Sequence, residues 1–222
     1  VADVADKGMP AALLMSNLQA SLHGQVLHQD TVAGVVRNVN DLIVHSTDPH
    51  MFATFFYGLL DVSQATLTCT NAGHNPPLHL MADGSIEELT VGGLLLGMVG
   101  DQVYQQETVE LAPGEVVVLY TDGITEAVGP AADEDDYEAM FGEEALFDVI
   151  RRNRHLPAAG VKDAILDALK AHDLTVDDLD AISGRGGLVV WEMENSSPSS
   201  LSTRALAIVD LPVLAKPVTK IL

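Results

Sequence analysis

Leu111-Ala112-Pro113-Gly114-Glu115-Val116-Val117-Val118-Leu119-Tyr120-Thr121-Asp122-Gly123-Ile124-Thr125-Glu126-Ala127 is the stretch whose reading decides the fold. Pro113-Gly114-Glu115 marks a turn, and Val116 to Tyr120 follows as an unbroken apolar run. A short, β-branched run bounded by turn signals reads as a strand buried on both faces. The run stops at Asp122-Gly123. A carboxylate where a buried strand breaks is badly placed for a core and well placed for a hard cation. A second aspartate of this kind lies at the other end of the chain. Val1-Ala2-Asp3-Val4 reads as the end of a strand, Asp6-Lys7-Gly8 as a turn, and Pro10 suits the first position of a helix. Two such carboxylates, far apart in sequence, predict a site assembled from several strand ends.

The segments between them alternate in type. Leu14, Leu18, Leu22 and Val26 recur every four residues, with Ala11 and Met15 alongside, and predict an amphipathic helix. Val32, Val35, Val36, Val39, Leu42 and Ile43 predict a second, capped by Asp30 or Thr31. Met51 to Leu60 is apolar on both alternating faces, as for a strand between a sheet and a helix layer. Leu67 to Thr70, Pro77 to Met81 and Val103 to Leu111 read as further strands. Asn71-Ala72-Gly73-His74-Asn75-Pro76 is a tight connection and Ala82-Asp83-Gly84-Ser85 a hairpin turn. Helical spacing returns over 144–151 and 158–171, and Leu188 to Met193 is a last strand. Helix pair, strands, helix pair, strand is an α+β order, and a layered sandwich is its simplest packing. Asn195 to Thr203 turns Ser-rich, so the chain divides into a domain over 1–194 and a linker and tail over 195–222.

Composition limits the function. Hydrophobic residues make up 47% of the 222 and mean hydropathy is +0.21, enough for a core and too much for disorder. Eleven Lys and Arg against 32 Asp and Glu give a net charge of −21, which repels nucleic acid and anionic membranes. Acid concentrates at Asp133, Glu134, Asp135, Asp136, Glu138, Glu143, Glu144 and Asp148, either as a solvated loop or as a flap beside a cation or a basic partner. Cys69 alternates within a strand pattern and is the only cysteine, a buried structural thiol that fits a reducing cytoplasm. No run has the length of a membrane-spanning helix, so membrane insertion is not expected.

Six strings in order carry a resemblance: DVADKGMPAALLMS at 3–16, FATFFYGLLD at 52–61, TNAGHNPPL at 70–78, LLLGM at 94–98, LAPGEVVVLYTDGITEA at 111–127 and FGEEAL at 141–146. Together they resemble the SpoIIE-type, RsbU-like branch of the metal-dependent (PPM, type 2C) serine/threonine protein phosphatases. The resemblance implies an α-β-β-α four-layer sandwich of two mainly antiparallel sheets flanked by helices, with two Mn²⁺ or Mg²⁺ ions at the strand ends. It also implies that the family's first strands, which carry another aspartate, are missing from this chain. The chemistry suits the residue types. Phosphoester hydrolysis needs charge neutralised on phosphoryl oxygens and an activated water, which two carboxylate-held divalent ions provide.

Roles carry over by position. Asp3 matches the aspartate that bridges the metals, Val4 offers its backbone carbonyl, Asp122 matches the later strand-end ligand, and Asp177 matches the last metal aspartate. Asp3 and Asp122 are thereby the candidate catalytic pair. Asp177-Asp178-Leu179 departs from the family pattern, because the loop Asp180 to Gly187 separates it from the next strand. Gly123 reads as permitting a tight turn beside the metal. Glu126 reads as an acceptor near the ligands or as an acid in a helix's first turn, and Lys7 as a solvated lysine or a phosphate contact. His74 reads as a structural hydrogen-bonding residue. The function implied is a phosphoserine/phosphothreonine phosphatase of bacterial signalling, cytoplasmic, acting on a phosphorylated anti-sigma-factor antagonist. An upstream sensor or receiver module and a homodimer are the further partners expected. A degenerate phosphatase fold serving as a phosphoprotein-binding scaffold is the alternative, motivated by the missing upstream aspartate and by the segment 177–187.

Overall fold

The computed structural model describes residues 1–5, 8–29, 31–48, 50–129, 139–172 and 187–192, with the backbone of 206–207. In chain order the elements are β1 (Ala2–Val4), α1 (Met9–Val26), α2 (Val32–Ser46), β2 (Ala53–Asp61), β3 (Thr66–Ala72), β4 (Leu78–Leu80), β5 (Ile86–Glu88), β6 (Gly92–Gly93), β7 (Glu107–Glu110), β8 (Val116–Tyr120), α3 (Asp122–Thr125), α4 (Glu143–Arg152), α5 (Ala158–Ala171), β9 (Leu188–Glu192) and β10 (Leu206–Ala207). The first sheet runs β1-β2-β3-β6, with β7 also on β3 and β10 also on β2. The second runs β5-β4-β8-β9. All pairings are antiparallel except β3 with β6.

Four layers follow from where the apolar faces go. Leu14, Leu18 and Leu22 of α1 and Val36, Val39 and Ile43 of α2 pack on Phe55, Tyr57 and Ala72 of the first sheet. Leu146 and Ile150 of α4 and Val161, Ile165 and Leu169 of α5 pack on Leu78 and Val118 of the second. Between the sheets, Phe56, Leu60, Leu67 and Cys69 meet Leu89, Val117 and Leu119. Each buried Leu, Val or Phe contributes roughly 1.5–3 kcal/mol of transfer free energy. The α-β-β-α sandwich expected from the sequence is the architecture found. β2 and β8 are apolar on both faces because each serves an inter-sheet layer on one side and helices on the other. Burial and the nearby Glu107 charge push the Cys69 thiol up to about 12, which suits a structural role.

Local chemistry matches the elements. Pro10 stands in the first turn of α1, and the Thr31 hydroxyl accepts from the Gly34 N–H at 3.1 Å as the cap of α2. At the β4–β5 turn, Asp83 Oδ1 accepts from the N–H and hydroxyl of Ser85, and Gly84 adopts φ +92°. In the second sheet, buried His79 meets Glu115 at 2.9 Å, and Glu115 also accepts from the Ala112 N–H. That closes the turn entering β8.

The strand expected over 103–111 is shorter than its alternation suggests. Only Glu107–Glu110 pairs with β3. Before it the chain turns toward α2, where Gln106 Oε1 accepts from the Ala33 N–H at 3.0 Å and Tyr104 packs on Gly93. Capping and packing there outweigh the ladder. Within 195–222 the described backbone, Leu206–Ala207, lies along Leu59 and Leu60 of β2. The rest of that segment, like the acidic run over 133–138, lies outside the described residues.

Candidate metal centre

β1 lies antiparallel on β2 with Asp3 opposite Thr54 and Val4 opposite Ala53. Val1 exchanges backbone hydrogen bonds with Phe56, and the Ala5 N–H donates to Phe52. Alternation along an antiparallel pair then turns the N–H and C=O of Val4 away from β2. Ala53, opposite, gives both of its bonds to Leu96. The Val4 carbonyl therefore points to the outer edge of the sheet, beside the Asp3 side chain's strand end. That orientation is what a backbone ligand requires.

Asp122 follows β8 directly. It opens the four-residue α3, whose cap is Thr121, and its carbonyl accepts from the Glu126 N–H at 2.7 Å. The layered packing brings this end of the second sheet to the β1 end of the first. Burial is the main reason that the Asp3 carboxyl rises from 3.8 to about 6, and the Asp122 charge is the next. The Glu126 charge acts in the same direction, while a hydrogen bond from the Val4 backbone opposes it. Carboxylates held together against their own repulsion fit a hard cation, with two oxygen donors supplied from separate sheets. Among the described residues no three His, Cys, Asp or Glu side chains converge as a metal set, so Asp3 and Asp122 stand as a pair. Asp177 and Lys7 lie outside the described residues.

Two readings need correction. Gly123 is not a turn glycine. It lies inside α3 and is not among the glycines of positive φ, and an added Cβ would meet only the Thr121 hydroxyl at 3.7 Å. The strand gives way to a helical turn, so no left-handed residue is required. Of the two alternatives for Glu126, the acid in a helix's first turn falls and the acid near the ligands stands. It caps the C-terminal end of α3, and its charge reaches Asp3. Thr54 was hidden in a run read only as apolar. Its hydroxyl lies 3.5 Å from the Asp3 carbonyl and 2.9 Å from His74 Nδ1. A lone hydroxyl in an otherwise apolar strand was the available signal.

An apolar gap among the described residues lies elsewhere. About 40 Å³ lies between the sheets among Val1, Phe56, Leu60, Leu67, Leu119 and Trp191. Its lining side chains carry no ionisable group, so it reads as a packing gap rather than a site for chemistry.

The family model for Stage II sporulation protein E (SpoIIE) matches residues 1–182. The chain belongs to the SpoIIE family. Phosphoserine phosphatase RsbU of Bacillus subtilis is similar to it, 33% identical over 127 residues that cover 57% of this chain and 38% of RsbU. The SpoIIE-family chain spans 29% to 40% of the length of the curated relatives it matches. In fold it is similar to the SiaA-PP2C domain of Pseudomonas aeruginosa, with TM-score 0.63 and 20% identity, covering 85% of this chain and 71% of that one. It is also similar to the catalytic domain of the serine/threonine protein phosphatase PstP in complex with two manganese ions, with TM-score 0.54 and 14% identity, covering 78% and 80%. Two antiparallel-rich sheets between helix pairs are thus the SpoIIE-family form of the PPM phosphatase fold.

Proposed function

We propose that the chain is a metal-dependent phosphoserine/phosphothreonine protein phosphatase of bacterial signalling, with Asp3, Asp122 and Asp177 and the Val4 carbonyl as ligands of two Mn²⁺ or Mg²⁺ ions. The observation that carries the reading is the convergence of Asp3 and Asp122 from two sheets, with the Asp3 carboxyl pushed up to about 6 by burial and by the Asp122 charge. Divalent cations at such a place supply charge neutralisation for the phosphoryl oxygens and acidify the attacking water. The chain's own part is placement. Short β1 and β8 fix the two carboxylates on rigid ladders, and the Glu126 charge keeps the locality negative. The likeness to phosphoserine phosphatase RsbU supports phosphoserine as the substrate group; a phosphorylated anti-sigma-factor antagonist as its carrier and a cytoplasmic setting belong to the proposal. No described helix is long and apolar enough to cross a membrane.

Calorimetry with Mn²⁺, followed by hydrolysis of a phosphoserine protein, tests the reading. The unaltered chain is expected to take up Mn²⁺ and to hydrolyse the phosphoester only with it. Asp122→Asn should lower turnover by roughly 10²-fold or more, the scale for losing a group that stabilises transition-state charge. Its metal-free melting temperature should change little. Turnover that survives this substitution rejects the site. Absence of Mn²⁺ uptake by the unaltered chain favours the scaffold reading.

A further inference from the structure

His74 is an ionisable group sealed into the sandwich, and neither the fold's packing nor the metal reading uses it. It is 4% exposed, and among the described residues its Nε2 has no partner at hydrogen-bonding geometry. Its loop crosses from β3 in the first sheet to β4 in the second. That loop is built with care. Asn71 accepts from the His74 N–H at 2.7 Å and donates to the His74 carbonyl at 3.0 Å and to the Leu89 carbonyl at 3.2 Å. Gly73 takes φ +72°, with Leu95 close behind it. Gly92 lies so near Asn71 that any Cβ there would collide with backbone. Three residues therefore spend their chemistry on holding one imidazole in place.

The imidazole reaches the strand pair that carries Asp3. On the first-sheet side, Nδ1 is 2.9 Å from the Thr54 hydroxyl, and Thr54 is the residue opposite Asp3, with its hydroxyl 3.5 Å from the Asp3 carbonyl. On the second-sheet side the loop that carries the ring runs into β4, which pairs with β8, the strand that ends just before Asp122. Burial pushes the His74 ring down to about 3. The ring is thus neutral at physiological pH, one nitrogen accepting and the other donating. A neutral, flat ring suits a strut between the Thr54 hydroxyl and the loop into β4, and adds no charge beside a cation.

We propose that His74, through Thr54, is a positioning residue that fixes the separation between the Asp3 strand end and the Asp122 strand end. The inference rests on the reading of those two aspartates as metal ligands. Outer partners of this kind typically tune metal affinity by 10–100-fold.

The test is Mn²⁺ affinity of the 222-residue chain by calorimetry, with four variants and one control. His74→Ala and Thr54→Val should weaken Mn²⁺ binding about 10- to 100-fold. His74→Asn, whose amide nitrogen can replace Nδ1 toward Thr54, and Thr54→Ser, which keeps the hydroxyl, should recover most of the affinity. A purely structural role would lower melting temperature without this pattern of rescue. If His74→Ala does not fold, Thr54→Val and Thr54→Ser carry the test, since valine is isosteric and suits a strand. Wild-type affinity in the Ala and Val variants overturns the inference, as does equal loss in the Asn and Ser variants. Asp122→Asn is the control. If it loses Mn²⁺ while His74→Ala and Thr54→Val do not, the strut alone falls. If it binds Mn²⁺ normally, the metal reading falls first and takes the strut with it.

Discussion

Asp3 holds its proton to about pH 6 because burial and the Asp122 charge both oppose its ionisation. Its folded value lies above its ordinary value of 3.8, so the protonated carboxyl adds stability that is complete below about pH 4. That stability is lost as pH rises through about 6. Asn mimics the protonated form. In EDTA at pH 7.5, Asp3→Asn should therefore melt above the unaltered chain, by about 2–4 °C if solvent screening leaves about 1 kcal/mol. At pH 4 the two should melt together. A lower melting temperature for the variant at pH 7.5 would count against the coupling. The same proton competes with a cation, so Mn²⁺ affinity should fall as pH drops below 6. Asp3 and Asp122 were legible because a charged residue at the end of an apolar run contradicts its surroundings. Glu126 was legible only as one of two alternatives, and Thr54 was passed over because the run around it reads as apolar. Only the third dimension places them beside Asp3.

Elements were legible where one period dominated: α1, α2, α5, β2 and β8 follow their apolar spacing closely. The segment 94–106 was not, because its backbone is held by side chains from other elements. Asn40, wholly buried on α2, accepts from the Gly97 N–H at 3.0 Å and donates to the Val99 carbonyl at 2.8 Å. Gly97 sits at φ +91°, where a Cβ would come within 2.6 Å of the Met51 carbonyl. No alternation rule anticipates an asparagine used in this way. Asn40→Ala strips partners from two buried backbone groups and should cost about 2–3 kcal/mol, read as a lower urea midpoint at unchanged slope. Asn40→Asp keeps the acceptor but buries a charge with an oxygen facing the Val99 carbonyl, and should cost at least as much. Equal stability of Asn40→Ala and the unaltered chain would mean that the loop is held by something else.

At the scale of the molecule, the layering was legible from β2 and β8 alone, since a strand apolar on both faces must lie inside a stack. The strand order was not, because β6 and β7 both join β3 through long connections that leave no local trace. The candidate site spans the two sheets, so a bound cation would tie one half of the sandwich to the other. Mn²⁺ at about 100 times its dissociation constant should add about 2.7 kcal/mol of stability. That corresponds to a rise in melting temperature of about 5–10 °C over the EDTA-treated chain. Mg²⁺ should do the same at higher concentration, and no rise with either ion would argue that neither binds the folded state. Cys69 lies in β3 on the inter-sheet face, with none of its surface open to water, and it is the sole thiol in the chain. A thiol reagent can reach it only when the stack parts. The protein therefore carries its own chemical clock: without any engineered label, the rate at which Cys69 reacts times the opening of the sandwich, and slower labelling on adding Mn²⁺ would register the clasp between its halves.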